Sequence, residues 1–162
     1  MSMVASNNVL AKDIMVTRLV TLSPAMDALD AIRKLLKHRI SGAPVVNEAG
    51  DYLGVFSEKT SMSFLLGAAY EQLPSNQVRA FMNTDRECTI AEEVDLLSIV
   101  QIFLNTHCRR LPVLRGEKLV GQISRRDVLS ATLQVIDDHV HDRDNSLLYL
   151  SALVDREHAP VT

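Results

Sequence analysis

Between residues 28 and 38 apolar side chains fall at Ala28, Leu29, Ile32, Leu35 and Leu36, while Asp30, Arg33, Lys34 and Lys37 occupy positions between them. A recurrence of three and four residues predicts an amphipathic helix with one buried face. Ahead of it, Val20-Thr21-Leu22 reads as a short strand. Ser23-Pro24 has the chemistry of an N-cap followed by a first helical residue. Behind the helix come Ala43-Pro44-Val45-Val46 and Tyr52-Leu53-Gly54-Val55-Phe56, separated by the polar turn Asn47-Glu48-Ala49-Gly50-Asp51. Two short apolar runs around such a turn predict a hairpin, with a second helix after it.

The same pattern returns later in the chain. Residues 21–46 laid over 89–114 share six identities in 26 positions: Thr21 with Thr89, Asp27 with Asp95, Leu29 with Leu97, Leu36 with Leu104, and Pro44-Val45 with Pro112-Val113. Past the hairpin turn, which is Arg115-Gly116-Glu117-Lys118 in the second copy, the offset drops from 68 to 67. Gly54 then meets Gly121 and Ser57 meets Ser124. Upstream, Asp13-Ile14-Met15 lies over Ala80-Phe81-Met82. In the second copy Ala91 replaces Ser23, but Glu92 and Glu93 favour the positive end of a helix.

Each copy is therefore strand–helix–strand–strand–helix, an α/β (α+β) class of fold built from one unit used twice. The expected organisation is a first copy over 9–67, a linker over 68–77 and a second copy over 78–135. A tail over 136–162 completes it, with a helix near 146–156. Leu147, Leu148, Leu150, Leu153 and Val154 make that segment apolar enough to pack on the module or in a dimer.

Composition narrows the function classes. Only 4% of the 162 residues are aromatic and none is Trp, so aliphatic side chains must fill the core. A net charge of −3 argues against nucleic acid as a partner. No apolar run reaches the length of a membrane span, and the N-terminus does not read as a signal peptide, so no membrane association and a cytoplasmic location are expected. Cys88 and Cys108 form neither a CxxC pair nor a disulfide framework and read as buried small hydrophobes. His139-Val140-His141-Asp142 reads as a solvated turn, because His38, His107 and His158 lie in unrelated places. No metal site and no catalytic group are expected.

Each copy resembles the cystathionine-β-synthase-type (CBS) domain, and the chain resembles a tandem pair of them, a Bateman module. Ile14-Met15, Pro44-Val45 and Gly54-Val55-Phe56-Ser57 carry the resemblance in the first copy. Phe81-Met82, Leu111-Pro112-Val113-Leu114 and Gly121 through Asp127 carry it in the second. It covers roughly residues 9–135. The resemblance implies a non-enzymatic regulatory module whose copies pack through their sheets about a pseudo-twofold axis, leaving two clefts. It implies AMP, ADP, ATP or S-adenosylmethionine as a regulatory ligand with no cofactor required. It also implies a homodimer and an unidentified protein target regulated in trans. The other reading is a dimerisation or docking module without a nucleotide.

In the family's pattern the Asp of Gly-apolar-apolar-Ser/Thr-x-x-Asp holds the ribose and the Ser/Thr lies near the phosphate. The resemblance thus implies Asp127 and Ser124 in those roles, with Cys88, Thr89 and the Pro112 strand presenting backbone groups to the adenine. The residue chemistry is compatible: a carboxylate accepts from both ribose hydroxyls, and Arg125, Arg126, Arg109 and Arg110 supply cations for a phosphate. The same residues also read as a plain helix cap with solvated arginines. In the first copy, Thr60 replaces Asp127 and Glu58-Lys59 replaces the double arginine. A weaker cleft is expected there, at Ser57, Thr60, Lys59, Pro44 and Thr21.

Overall fold

The structure, a computed structural model, describes residues 8–70 and 76–140, with side chains to Asp138. The expected tail helix, His141-Asp142 and residues 71–75 of the linker lie outside the described residues. A one-turn helix α1 (Ala11–Ile14) opens the described chain, and α2 (Ala28–His38) is the first amphipathic helix. The cap differs from expectation. Asp27, not Ser23, precedes the helix, and its Oδ1 accepts from the Leu29 N–H at 2.8 Å. Ser23 and Pro24 lie in a separate turn in which the Met26 N–H donates to the Ser23 carbonyl. In the second copy Asp95 Oδ1 accepts from the Ser98 N–H at 2.9 Å and starts α4 (Leu96–Asn105), so Glu92 and Glu93 lie before that helix rather than in its first turn. A carboxylate satisfies the orphan amides more strongly than a hydroxyl, which accounts for the cap at both repeat-matched aspartates.

Both hairpins form as expected. Strands β1 (Gly42–Val46) and β2 (Tyr52–Ser57) pair antiparallel and lead into α3 (Glu58–Ala69). The second copy has β3 (Ile90–Ala91), which runs parallel to β4 (Arg110–Arg115). There β4 pairs antiparallel with β5 (Lys118–Ser124), and α5 (Arg125–Val140) follows. The first copy keeps only a single parallel bridge, Leu22 to Val45, where β3 stands in its twin. Gly50 and Gly116 take positive φ in the two turns, which glycine tolerates at little cost.

The segments leading into each copy are exchanged. Ala11, Ile14 and Met15, which precede the first copy, pack into the core of the second with Ile99, Leu111 and Ile123. Val78, Phe81 and Met82, which precede the second copy, pack into the core of the first with Leu35, Val45 and Phe56. Backbone pairing repeats the symmetry. Val16 and Gln122 exchange N–H···O bonds of 2.9 and 3.0 Å, and Asn83 and Val55 exchange bonds of 2.8 and 2.9 Å. Gly54 and Gly121 sit under these crossings. A Cβ on Gly54 would strike the Asn83 carbonyl, and one on Gly121 would strike the Met15 side chain.

The hairpin turns also meet across the copies. Tyr52 N–H donates to the Glu117 carbonyl at 2.9 Å, Leu119 N–H donates to the Gly50 carbonyl at 3.1 Å, and Lys118 pairs with Asp51 at 2.8 Å. The cysteines correct the reading of both as isolated hydrophobes, because Cys88 and Cys108 are joined by a disulfide. Parallel pairing of β3 with β4 brings the entries to those strands to one end of the sheet, a proximity that spacing alone does not reveal.

Candidate functional site

A cavity of about 410 Å³ lies between the copies, within the roughly 300–1,000 Å³ range of small-molecule sites. Its floor includes Pro44 and Tyr52 from the first hairpin and Pro112 from the second, all buried. Ser57, Glu58 and Lys59, at the start of α3, form one side. Arg109 and Arg110, at the start of β4, form another, and Asp85 and Glu87 approach from the segment before β3. The cavity is thus amphoteric, with Lys59 beside Glu58 on one side, two arginines on another and Asp85 and Glu87 on a third. The dipole of α3 adds positive potential where its first turn lines the cavity.

Local bonding fixes these groups. Ser57 N–H donates to Thr60 Oγ1 at 2.7 Å and Thr60 N–H donates to Ser57 Oγ at 3.3 Å, a reciprocal capping box. Ser57 Oγ acts there as acceptor, which leaves its own proton for another oxygen. Glu58 N–H donates to the Ser41 carbonyl at 2.9 Å and ties α3 to the entry of β1. Arg110 donates to the Gly42 carbonyl at 3.2 Å and so spans the copies. Among the described residues, neither Lys59 nor Arg109 forms an ion pair. Burial pushes the Tyr52 phenol above its ordinary pKa against the opposing charge of Arg86, so it is a neutral donor near pH 7.

The cavity gathers residues from both expected clefts: Cys88, Arg110 and Pro112 from the second, and Ser57, Lys59 and Pro44 from the first. Ser124, Arg125, Arg126, Asp127, Thr89, Thr60 and Thr21 are not among the residues lining it. Asp127 Oδ2 accepts from both the N–H and the hydroxyl of Ser124, at 2.7 and 2.9 Å, and Asp127 N–H donates back to Ser124 Oγ at 3.2 Å. This is the capping arrangement. Arg125 lies over the Phe103 ring at 6.0 Å, and Arg126 is exposed. Asp127 borders a more open recess of about 460 Å³ with Asp13, Ile14 and α5. Thr89 bonds the Arg86 carbonyl, and the Thr21 carbonyl accepts from Lys34.

Sequence reasoning missed Tyr52, Asp85, Glu87 and His107 as cavity residues. Asp85 and Glu87 follow Asn83, whose pairing with Val55 of the first hairpin is a tertiary relation that the repeat alignment does not reveal.

The sequence model of the CBS domain matches residues 11–60 and 78–134. The chain belongs to the CBS-domain family. This CBS pair is 32% identical over 124 residues to the zinc metalloprotease MJ0392 of Methanocaldococcus jannaschii, a match spanning 76% of this chain and 32% of that protein. It is 25% identical over 126 residues to the A-adding tRNA nucleotidyltransferase of Aquifex aeolicus, covering 78% of this chain and 15% of the enzyme. The chain thus spans under half the length of these relatives. Among solved structures it resembles CBSX2 of Arabidopsis thaliana in complex with AMP, with a TM-score of 0.70 and 25% identity, covering 78% of this chain and 98% of that one. No helix among the described residues is long and apolar enough to cross a membrane.

Proposed function

We propose that this CBS pair is a regulatory module that binds an adenosine-containing nucleotide in the cavity between its copies and acts on a partner in trans. The observation that carries this is the clustering of Lys59, Arg109 and Arg110 with the start of α3 around one cavity that also presents Glu58, Asp85 and Glu87. The cations and the dipole of α3 suit a phosphate or another anion. Carboxylates suit ribose hydroxyls, and the Pro44–Pro112 floor suits a base. That CBSX2 was solved with AMP supports the ligand class. The expected site at Ser124 and Asp127 becomes the competing location within the same reading. Calorimetric titration of AMP separates the two. Loss of binding in Lys59→Ala and Arg109→Ala, with binding kept in Asp127→Ala, supports the cavity. The reverse result places the ligand at the Asp127 turn. No heat with AMP, ADP, ATP or S-adenosylmethionine at millimolar concentration overturns the nucleotide reading.

A homodimer is the second part of the proposal. Met62, Leu65 and Leu66 on α3 and Leu129 and Leu133 on α5 are all exposed, too many large apolar side chains for two helices facing only water. Sedimentation of wild type against Leu66→Glu and Leu133→Glu tests it, and a monomeric wild type would overturn it.

A further inference from the structure

We propose that the Cys88–Cys108 disulfide is a redox latch on the cavity wall, whose reduction loosens the segment carrying Asp85 and Glu87 and thereby weakens ligand binding. The binding half of this inference rests on the nucleotide reading above. Both cysteines line the cavity. Cys88 follows Asp85 and Glu87 on the acidic side, and Cys108 leads directly into Arg109 and Arg110 on the basic side, so one covalent bond joins the two walls.

The fastening of the 84–89 segment gives the bond its leverage. Asp85 N–H donates to Asn83 Oδ1, Glu87 N–H to Asp85 Oδ1, and both the N–H and hydroxyl of Thr89 to the Arg86 carbonyl. These bonds run within residues 83–89. The side chain of Arg86 reaches outward, to the Tyr52 carbonyl at 3.1 Å and to Glu117 at 2.7 Å. That ion pair is solvent-exposed and worth little alone. The disulfide is the strong lateral tie.

Access is one-sided. Cys108 is 2% exposed and belongs to the second-copy core, whereas Cys88 is partly exposed. A dithiol reductant is the required co-reactant. Its thiolate attacks Cys88 Sγ, forming a mixed disulfide and expelling Cys108 as a thiolate that takes up a proton. Its second thiol then closes on its own sulfur and releases Cys88 as a thiol. The reductant is oxidised by two electrons to its disulfide, and the protein gains two electrons and two protons. In reducing compartments protein disulfides are uncommon and typically serve as sensors, and no other cysteine is present to compete.

Wild-type protein is treated with dithiothreitol, and its amide hydrogen exchange and AMP affinity are compared with those of the oxidised form, with circular dichroism confirming the fold. Expected are faster exchange on the order of tenfold at residues 84–89 and 107–110, whose amides open locally, and AMP binding weakened about tenfold. Cys88→Ser should match the reduced protein with or without dithiothreitol. Unchanged exchange in those segments overturns the latch, whatever AMP does. Faster exchange with equal AMP affinity in the two forms overturns its coupling to the ligand. Faster exchange with no AMP bound by either form leaves the latch standing and removes the nucleotide reading.

Discussion

Arg110 of the second copy donates to the Gly42 carbonyl of the first at 3.2 Å. A guanidinium has donors to spare, so the same side chain can hold the two copies together and also meet an anion in the cavity. Arg110→Ala should weaken AMP binding on the order of tenfold, the scale of one hydrogen bond to a charged group. Arg110→Lys keeps the charge without the fork and should fall between. Calorimetry on the three proteins tests this; equal affinities would remove Arg110 from the ligand site.

The paired glycines should not be equally sensitive to substitution. At Gly54 a new Cβ meets fixed backbone, with the Asn83 carbonyl carbon at 3.1 Å, whereas at Gly121 it meets the flexible Met15 side chain. Gly54→Ala should cost about 2–3 kcal/mol and Gly121→Ala about 1 kcal/mol, within the range for overpacking. Met15→Ala combined with Gly121→Ala should cost less than the sum of the two single losses, because the clash is relieved. Urea midpoints of the wild type, the three single variants and the double give the comparison.

Deleting residues 1–16 should damage the copy that is remote in sequence. Ala11, Ile14 and Met15 belong to the second-copy core, so amides of β4 and β5 should exchange faster than those of β1 and β2. Loss confined to the first copy would contradict the exchanged packing.

Reduction should also carry a thermodynamic signature. The disulfide joins residues 20 apart in sequence, and a loop of that length is worth about 3 kcal/mol of chain entropy in the unfolded state. The urea midpoint of the reduced protein should fall accordingly with its m-value little changed, measured against the oxidised form without ligand.

Acid should weaken the junction between the copies. The hydrogen bond from Lys118, then that from Asn47, holds the Asp51 carboxyl below its ordinary pKa. A depressed folded-state pKa gives stability that is complete above the unfolded value, near pH 4, and is lost as pH falls through the folded value. Asp51→Asn should therefore lower stability near neutrality and flatten its slope below about pH 4. A thermal-melt series against pH reads both effects.

The repeat, the two hairpins and their flanking helices were legible because period and order survive in the residues themselves. Asp27 and Asp95 were visible as an identity, yet their capping role was obscured by Ser23-Pro24, which has equally good local chemistry for a helix start. The exchange of Met15 and Phe81 between cores was invisible, since equivalent segments pack equally well on either copy as far as pattern goes. At the candidate site, Ser57, Lys59, Arg110 and Pro112 were named from the sequence, but in separate clefts. Their common cavity depends on how the hairpins face each other. Cys88 and Cys108 come together through the parallel pairing of Ile90 with Val113, a tertiary relation that cysteine spacing does not encode.

The exchanged leading segments bear on what a half-length version of this chain could be. A polypeptide with one copy would carry a leader that does not fit its own body and a body that lacks its lid. Two such polypeptides could satisfy each other by swapping leaders, so the smallest folded product would be an intertwined dimer. The linker between the two copies converts that bimolecular exchange into an intramolecular one.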